Sequence, residues 1–223
     1  MRRSKEDSEQ TRAAILDAAA RMFCEKGYAA TTVESISRAA GVTRGAFYWH
    51  FRDKSDVLGA LHGRSFLPQE RFLTAAIESG AEDPLGCVFD VALAALRSFE
   101  VNQDEQRIFR IMSDLTIGEE GHETLARIHA EMRALIRRIM QQARDKGTLH
   151  PGVTPAEAEL ALTVTIGGLL AEWLRSDKSF PLADFGAKLL RGQRAMLQAD
   201  PGDGFGAKRH GIPPGRAGPP VPP

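Results

Sequence analysis

Apolar residues recur along most of this chain at steps of three and four, which is the spacing of one face of an α-helix. This pattern predicts a first helix over residues 8–26 and a long fourth helix that ends near residue 77. After residue 84 it predicts five more helices, the last of which ends near residue 199. Together with two short helices near residues 33–50, it predicts an all-α fold of about nine helices.

Two short helical patterns joined by a tight turn lie between Thr32 and Lys54. Thr32 precedes the first pattern as an N-cap, and Thr43 precedes the second, which reads RGAFYWH. Between them, Gly41 can adopt the positive φ angle that a sharp turn requires. This arrangement is typical of a helix-turn-helix, the motif that places its second helix in the major groove of DNA.

The second helix of this motif carries few of the Glu, Lys and Gln residues that are usual on a solvated helix. Phe47 and Phe51, four residues apart, are predicted to face the core together. Arg44 suits a bidentate contact to guanine, and phosphate oxygens suit the donors Tyr48, His50 and Lys54. Trp49 could equally be an ordinary half-buried core aromatic. The residues predicted to contact DNA are Thr32, Thr43, Arg44, Gly45, Tyr48, Trp49, His50 and Lys54.

The helix predicted from about Pro155 to Ser176 is apolar on nearly every side. Such a helix needs cover on every side, so one side faces its own domain and the other needs a partner. With the last predicted helix, it would form a four-helix bundle with the same two helices of a second copy. The residues predicted for this dimer interface are Leu160, Val164, Gly168, Leu174, Phe185 and Leu189.

The long fourth helix, which begins after Asp53, contains Pro68. Because proline removes a backbone hydrogen bond and clashes with the preceding turn, we expect a kink or a break there. The helix predicted over residues 122–146 carries an arginine-rich side, which we expect to be solvated: Arg133, Arg137, Arg138 and Arg144. Residues 200–223 are dominated by glycine and proline, which predicts a disordered tail.

The formal net charge is zero, from 29 basic and 29 acidic residues, so any DNA contact must come from a local, shaped motif. No apolar run reaches the ~18 residues of a membrane span, and no signal peptide is recognised, so we expect a cytoplasmic protein with no membrane partner. The two cysteines show no CxxC spacing, which argues against a zinc site or a disulfide framework.

Nothing in the sequence asks for catalysis or a bound cofactor. No GxSxG or HExxH motif is present. His122 and His129 lie seven residues apart on one predicted helix, too far to share one metal ion without other ligands. We therefore expect no enzyme activity, no metal and no cofactor.

The stretch GVTRGAFYWHFRDKSDVL resembles the signature of the TetR family of transcriptional regulators, and the segment from Thr11 to Leu61 fits that family throughout. The stretch from Gly167 to Leu182, GGLLAEWLRSDKSFPL, is similar to the same region of the AcrR-like repressors of multidrug efflux pumps. The resemblance implies a DNA-binding domain over residues 8–62 and a ligand-sensing and dimerisation domain over residues 63–199.

The resemblance also implies a cavity for a small apolar or amphipathic inducer among the C-terminal helices. Residues with the type and position to line it are His62, Phe66, Phe89, Leu93, Phe109, Met112, Met132, Leu135 and Trp173. Each of them could instead be a plain core residue, because aromatic and methionine side chains at helical spacing usually serve packing. No carboxylate stands beside His62 or Phe66 to pair with a cationic compound.

The resulting expectation is a homodimeric repressor that binds a palindromic operator and is released by its inducer, with an efflux operon as the implied target. Ligand binding would move the fourth helix, with Pro68 as the place where the motion is localised. Two other functions stay open from the sequence: a TetR-like activator or non-sensing DNA-binding protein, and a helical small-molecule-binding protein or enzyme without a DNA role.

Overall fold

The structure, a computed structural model, describes residues 5–115 and 121–199. In these ranges it contains nine α-helices and, besides one isolated bridge between Leu149 and Gln198, no β-structure. The helices are α1 Lys5–Lys26, α2 Val33–Ala39, α3 Arg44–His50, α4 Lys54–Ser79, α5 Pro84–Val101, α6 Gln103–Ser113, α7 His122–Asp145, α8 Pro155–Arg175 and α9 Leu182–Leu197. The prediction of an all-α fold is confirmed. The predicted tail over 200–223 lies outside the described residues.

Reciprocal side-chain caps start α2 and α8. At α2, the Oγ1 atom of Thr32 accepts from the Ser35 amide at 3.1 Å, while the Thr32 amide donates to Ser35 Oγ. At α8, Thr154 and Glu157 form the same reciprocal box. Each box satisfies backbone donors that a helix start otherwise leaves unpaired, so the position of the helix start is encoded locally.

The first buried core holds the helix-turn-helix together, and it reaches beyond the N-terminal segment. Ile15, Phe47 and Leu58, from α1, α3 and α4, are fully buried in it. The same core takes Ile108 from α6 and Leu125 from α7. Helices on both sides of the predicted division at residue 62 therefore share apolar side chains, and that division stays a prediction.

The second core fills the space between α5, α7, α8 and α9. Leu96 and Phe99 of α5 lie at its centre and are almost fully buried. α9 approaches α5 closely at Gly186, where an added Cβ would lie 2.3 Å from Cδ1 of Leu96. A larger residue at position 186 would force the Leu96 side chain to move.

α4 joins the two cores, because it contributes Leu61 to the first and Leu73 to the second. The helix runs without a break from Lys54 to Ser79, with Pro68 inside it. The expected break at Pro68 is therefore wrong. The exposed position of Pro68 lets the missing amide hydrogen bond fall on the solvent side of the helix.

A second contact between the segments before and after residue 62 lies at the start of α7. Gly121 is buried with φ of +95°, and an added Cβ would stand 2.7 Å from Cε1 of Tyr28. The tyrosine ring also packs on Phe23, and its hydroxyl hydrogen-bonds Ser55 at 2.9 Å. Glycine is needed at position 121 for both reasons, the positive φ and the close ring.

Candidate DNA-binding surface and ligand cavity

The outer face of α3 is the surface predicted to bind DNA, and the structure exposes it. Thr43 caps the helix by accepting from the Ala46 amide at 3.1 Å. Phe47 is fully buried and anchors α3 in the first core. Trp49 is 81% exposed and Tyr48 is half exposed, so neither is a core aromatic. Large aromatic side chains so open to solvent are unusual on a helix that has no partner.

Arg44 and Gly45 lie at the front of α3, where the helix would first meet a groove. A hydrogen bond to the Tyr48 side chain raises the pKa of Arg44. The guanidinium therefore stays charged. A Cβ added at Gly45 would meet only Oγ1 of Thr43, at 3.8 Å. Internal packing therefore does not require glycine at position 45, which stays a predicted DNA contact.

Thr32 and His50 border this face. Thr32 is exposed at the start of α2, with its hydroxyl engaged in the capping box. His50 is half-buried and its ring lies against Phe51, with ring centroids 6.4 Å apart. Both stay predicted DNA contacts.

Lys54 is a correction. Its side chain is 7% exposed, and its Nζ atom donates to the carbonyl oxygens of Tyr28 at 3.1 Å, Ala29 at 3.3 Å and Thr31 at 3.2 Å. The ammonium also lies over the Tyr28 ring, 4.6 Å from its centroid. The prediction that this ammonium contacts phosphate is wrong, because the group is used to hold the loop between α1 and α2 against α4.

One side of α8 and α9 presents apolar side chains to solvent, as predicted for a dimer interface. Val164 is 63% exposed, and Gly168 is exposed beside it. Leu174 differs from the other predicted residues: it is half-buried and packs on its own second core. The large apolar side chains exposed on these two helices are Leu160, Val164, Phe185, Leu189 and Met196.

A cavity of about 520 Å³ opens between α4, α5, α6, α7 and α8. Five residues of the predicted set line it: His62, Phe66, Phe109, Met112 and Met132. The other lining residues are mostly aliphatic, with Leu73, Leu96 and Leu170 among them. A cavity of this size and character suits an apolar body of drug-like dimensions.

Four predicted cavity residues do not line the cavity. Trp173 is 3% exposed and donates from Nε1 to the carbonyl oxygen of Phe180 at 2.8 Å, so it is a core residue. Phe89 is buried in the second core, and Leu93 and Leu135 pack against that core from its edge. Helical spacing predicted that these side chains face inward. The cavity is instead lined by adjacent positions of the same helices, for example by Ile136 and not by Leu135.

Polar groups on the cavity wall were missed from the sequence. Glu105 of α6 is 4% exposed, and its Oε1 atom accepts from Ser98 Oγ at 2.6 Å and Asn102 Nδ2 at 3.1 Å. Gln69 of α4 holds a buried Oε1 atom with no hydrogen-bond partner among the described residues. The sequence signal that could have placed Glu105 is a helix cap, because Asn102 caps α6 three residues before it. The cavity therefore offers acceptors to a ligand with a donor or a positive charge.

His62 lines the cavity where α4 meets α7. Burial, with the nearby His129, lowers the pKa of His62 to about 4, although Glu131 opposes the shift. Its ring stacks on Phe66 with centroids 4.8 Å apart. Glu70 Oε1 lies 3.9 Å from Nδ1, which is not an ion pair at neutral pH because the imidazole is then uncharged. The cavity at neutral pH thus contains a neutral imidazole beside an aromatic ring.

In the described ranges, no helix is long and apolar enough to cross a lipid bilayer.

Comparison with known proteins agrees with this geometry. The family described as "Bacterial regulatory proteins, tetR family" matches residues 15–61, the segment that holds α2 and α3. The transcriptional repressor BepR of Brucella suis is 33% identical over 194 residues, which cover 85% of this chain and 93% of BepR. The regulator TtgR of Pseudomonas putida is 31% identical over 182 residues, 78% of this chain and 85% of TtgR.

Solved structures show the same fold over most of the chain. NalD, the secondary repressor of the MexAB-OprM multidrug efflux pump in Pseudomonas aeruginosa, matches with a TM-score of 0.75 and 37% identity, over 88% of this chain and all of NalD. SmeT in complex with triclosan matches with a TM-score of 0.74 and 28% identity, over 96% of this chain and 99% of SmeT. The chain belongs to the TetR family of bacterial regulators: it is a DNA-binding regulator of transcription and not an enzyme.

Proposed function

We propose that the protein is a homodimeric repressor that binds a palindromic operator through α3 and leaves it when a small molecule enters the cavity. The observation that carries the proposal is the exposed, aromatic- and arginine-bearing face of α3 on a fully buried Phe47 anchor. No internal packing role explains that face. We place its action in the cytoplasm, where operator DNA is found.

DNA contact on α3 divides into base reading and backbone positioning. Arg44 carries the geometry for two hydrogen bonds to one guanine. Thr43, Tyr48 and His50 suit phosphate oxygens, which set orientation without reading sequence. With Lys54 internal, the backbone amides at the start of α4 take its place as the donors that a phosphate would meet there.

Two recognition helices must meet successive major grooves, about 34–36 Å apart, for a palindrome to be read. The exposed apolar side of α8 and α9 supports the dimer that this requires. Val164 and Phe185 lie on it and would be covered by the same helices of a second copy. An isolated chain would leave this side in water, at a cost that grows with its apolar area.

The proposed inducer is a compound with an apolar body and at least one polar group. The apolar lining accepts the body, while Glu105 and Gln69 provide acceptors that want a donor. The sequence shows no carboxylate beside His62 or Phe66, but the carboxylate of Glu105 on the cavity wall could pair with a cation. The presence of triclosan in the SmeT complex supports a ligand of this size in the corresponding fold.

Ligand and DNA would be coupled through α4 and α6, because both helices line the cavity and also enter the first core. His62 and Phe66 lie on the cavity, while Leu61 lies in that core. A ligand needs only a different affinity for two states of the dimer, and a ~100-fold induction corresponds to under 3 kcal/mol of coupling. The target operon is proposed to encode a multidrug efflux pump, as it does for NalD.

The proposal is tested by a mobility shift with the promoter DNA next to the gene itself. We expect the protein to shift this DNA, and a lipophilic compound screened by thermal shift to release it. In the same assay, Arg44→Ala should weaken specific binding ~10- to 100-fold and relax base preference, whereas exposed Arg138→Ala should not. A protein that shifts no DNA, or an Arg44→Ala variant that binds as the wild type does, would overturn the proposal.

A reporter in a deletion strain separates repression from activation. Expression should rise when the gene is deleted. A fall would show that the chain activates its target.

A further inference from the structure

Two arginines on the arginine-rich side of α7 are about half exposed, and both are paired with one carboxylate of α8. Arg133 donates from Nε to Oε1 of Glu159 at 2.6 Å and from Nη2 to Oε2 at 3.4 Å. Arg137 donates from Nη2 to the same Oε2 atom at 2.7 Å. Glu159, on α8, is fully buried. One carboxylate thus fixes two guanidinium groups at the seam between α7 and α8.

The balance of charge at this seam is positive. Burial favours the neutral acid at Glu159, but the hydrogen bonds from Arg133 and Arg137 outweigh it and lower the pKa of Glu159. Two permanent positive charges therefore face one negative charge. Thr163 adds a hydroxyl 3.4 Å from Oε1 of Glu159. The excess positive charge has no second carboxylate bonded to it among the described residues.

Arg133 is also part of the cavity wall, together with Thr163 and His129. Its Nη1 atom donates to no side chain in the described ranges, since the pairing with Glu159 uses Nε and Nη2. His129 lies one helical turn before Arg133, and burial, with the charge of Arg133, lowers the pKa of His129. The carboxylates nearest the two histidines, Glu70 and Glu131, do not line the cavity.

We infer that this wall is a subsite for an acidic or strongly accepting group of the ligand, such as a carboxylate or a phenolate, and that Arg133 binds it. The inference rests on the proposed function, because it names the class of compound that the cavity receives. Glu159 holds the guanidinium plane in place, so little rotamer entropy is lost when the acceptor binds. On another wall, Glu105 prefers the opposite charge, which makes the cavity bipolar.

The test uses three fluorescent probes that share one apolar body and differ in charge: dansylglycine, an anion; dansylcadaverine, a cation; and dansylamide, which is neutral. Their dissociation constants are measured with the full chain and no DNA. The variant is Arg133→Gln, in which Arg137 still pairs with Glu159 so that the buried carboxylate keeps a partner. The matched control is Arg138→Gln, an exposed arginine on the same helix and outside the cavity.

Arg133→Gln should weaken dansylglycine about 10-fold and leave dansylamide and dansylcadaverine within about 2-fold, while Arg138→Gln should change none of the three. Arg133→Lys, which keeps the charge, should recover most of the preference for the anion. It also serves as the second variant if thermal unfolding shows that Arg133→Gln is not folded. The inference is overturned if the wild type does not bind dansylglycine, or if Arg133→Gln weakens all three probes equally.

A separate measurement distinguishes this inference from the function on which it rests. Release of labelled operator DNA is followed by fluorescence anisotropy with the same probes. Charge selection without DNA release would leave the subsite intact and refute the inducible repressor. DNA release by all three probes at equal concentrations, with no effect of Arg133→Gln, would leave the repressor intact and refute the subsite.

Discussion

At the scale of single residues, Lys54 shows how a buried positive charge can organise a loop. Its ammonium gathers three carbonyl oxygens from residues 28–31 and a tyrosine face. Those carbonyls lie in the loop between α1 and α2, where no regular helix supplies their donors. Lysine suits the task because its three donors diverge from one atom.

Replacing Lys54 by methionine, which has a similar length and no charge, should lower the free energy of unfolding by about 2–3 kcal/mol. The loss arises because the carbonyl oxygens of Ala29 and Thr31 would lose the ammonium donor, while that of Tyr28 would keep only the Thr31 amide. Urea denaturation measures it, and exposed Lys26→Met in α1 is the control. A Lys54→Met protein that unfolds with the control but binds DNA weakly would restore Lys54 as a phosphate contact.

His62 predicts how stability depends on pH. Its pKa is about 4 when folded and near 6.5 when unfolded, so between these values the unfolded chain binds more protons. The free energy of unfolding therefore falls as pH decreases through this window. From pH 7 to 4.5 the contribution of His62 is about 2 kcal/mol.

His62→Gln removes this titration, so its loss of stability between pH 7 and pH 4.5 should be smaller than that of the wild type by about that amount, 2 kcal/mol. Denaturant unfolding at both pH values measures the difference. The control is exposed Gln10→Ala, which removes no titratable group and should keep the pH dependence of the wild type. Equal slopes for His62→Gln and the wild type would contradict a buried neutral imidazole.

At the scale of elements, α4 carries the hypothesis of a hinge. The helix stays continuous across Pro68, but one interior hydrogen bond is missing there. A helix weakened at one position bends more easily at that position. Since α4 holds both a cavity wall and part of the first core, bending there would alter how the cavity is coupled to α3.

Pro68→Ala should therefore change ligand-induced release from DNA by more than about 5-fold while operator affinity without ligand stays within about 2-fold. Restoring the amide stiffens α4 and makes the second state harder to reach. Anisotropy titrations with and without inducer measure both quantities. Exposed Ala75→Ser, one to two turns further along α4, is the control. A larger change in operator affinity than in induction would refute the hinge.

Elements also show what the sequence could and could not predict. The helix-turn-helix was predictable because its caps, its turn glycine and its buried Phe47 are local signals. Trp49 could not be decided by composition, since only packing tells whether an aromatic ring is covered. The partners of Glu105 lie within seven residues, whereas Arg133 and Glu159 are 26 residues apart and meet only after α7 and α8 have packed. Helical spacing predicts which residues share a face of a helix, but not which part of the protein that face contacts. For this reason Leu135 was predicted to line the cavity, whereas Ile136 lines it.

At the scale of the whole molecule, the exposed apolar side of α8 and α9 is the observation that supports the proposed dimer. Val164→Asp would place a charge at the centre of the proposed seam between two chains, where it could not be hydrated. We expect sedimentation to show single chains at micromolar concentration and operator binding to fall at least ~10-fold.

Val101→Asp is a close control, because Val101 is 80% exposed at the end of α5 and lies outside the α8 and α9 side. It should sediment as the wild type does. Single chains for the wild type would refute the proposed dimer, and dimers for Val164→Asp would require another surface for the assembly.

The close meeting of Gly121 and Tyr28 has a consequence for exchange of parts between relatives. Consider a hybrid protein in which residues before position 62 come from this chain and the rest from a relative. The start of the relative's α7 would then pack against the Tyr28 ring. Any residue larger than glycine at position 121 would collide with the ring of Tyr28. The protein that supplies α7 must therefore also have a glycine at this position. The exchange of segments between relatives is therefore limited by the contact between Tyr28 and Gly121 as well as by the choice of junction.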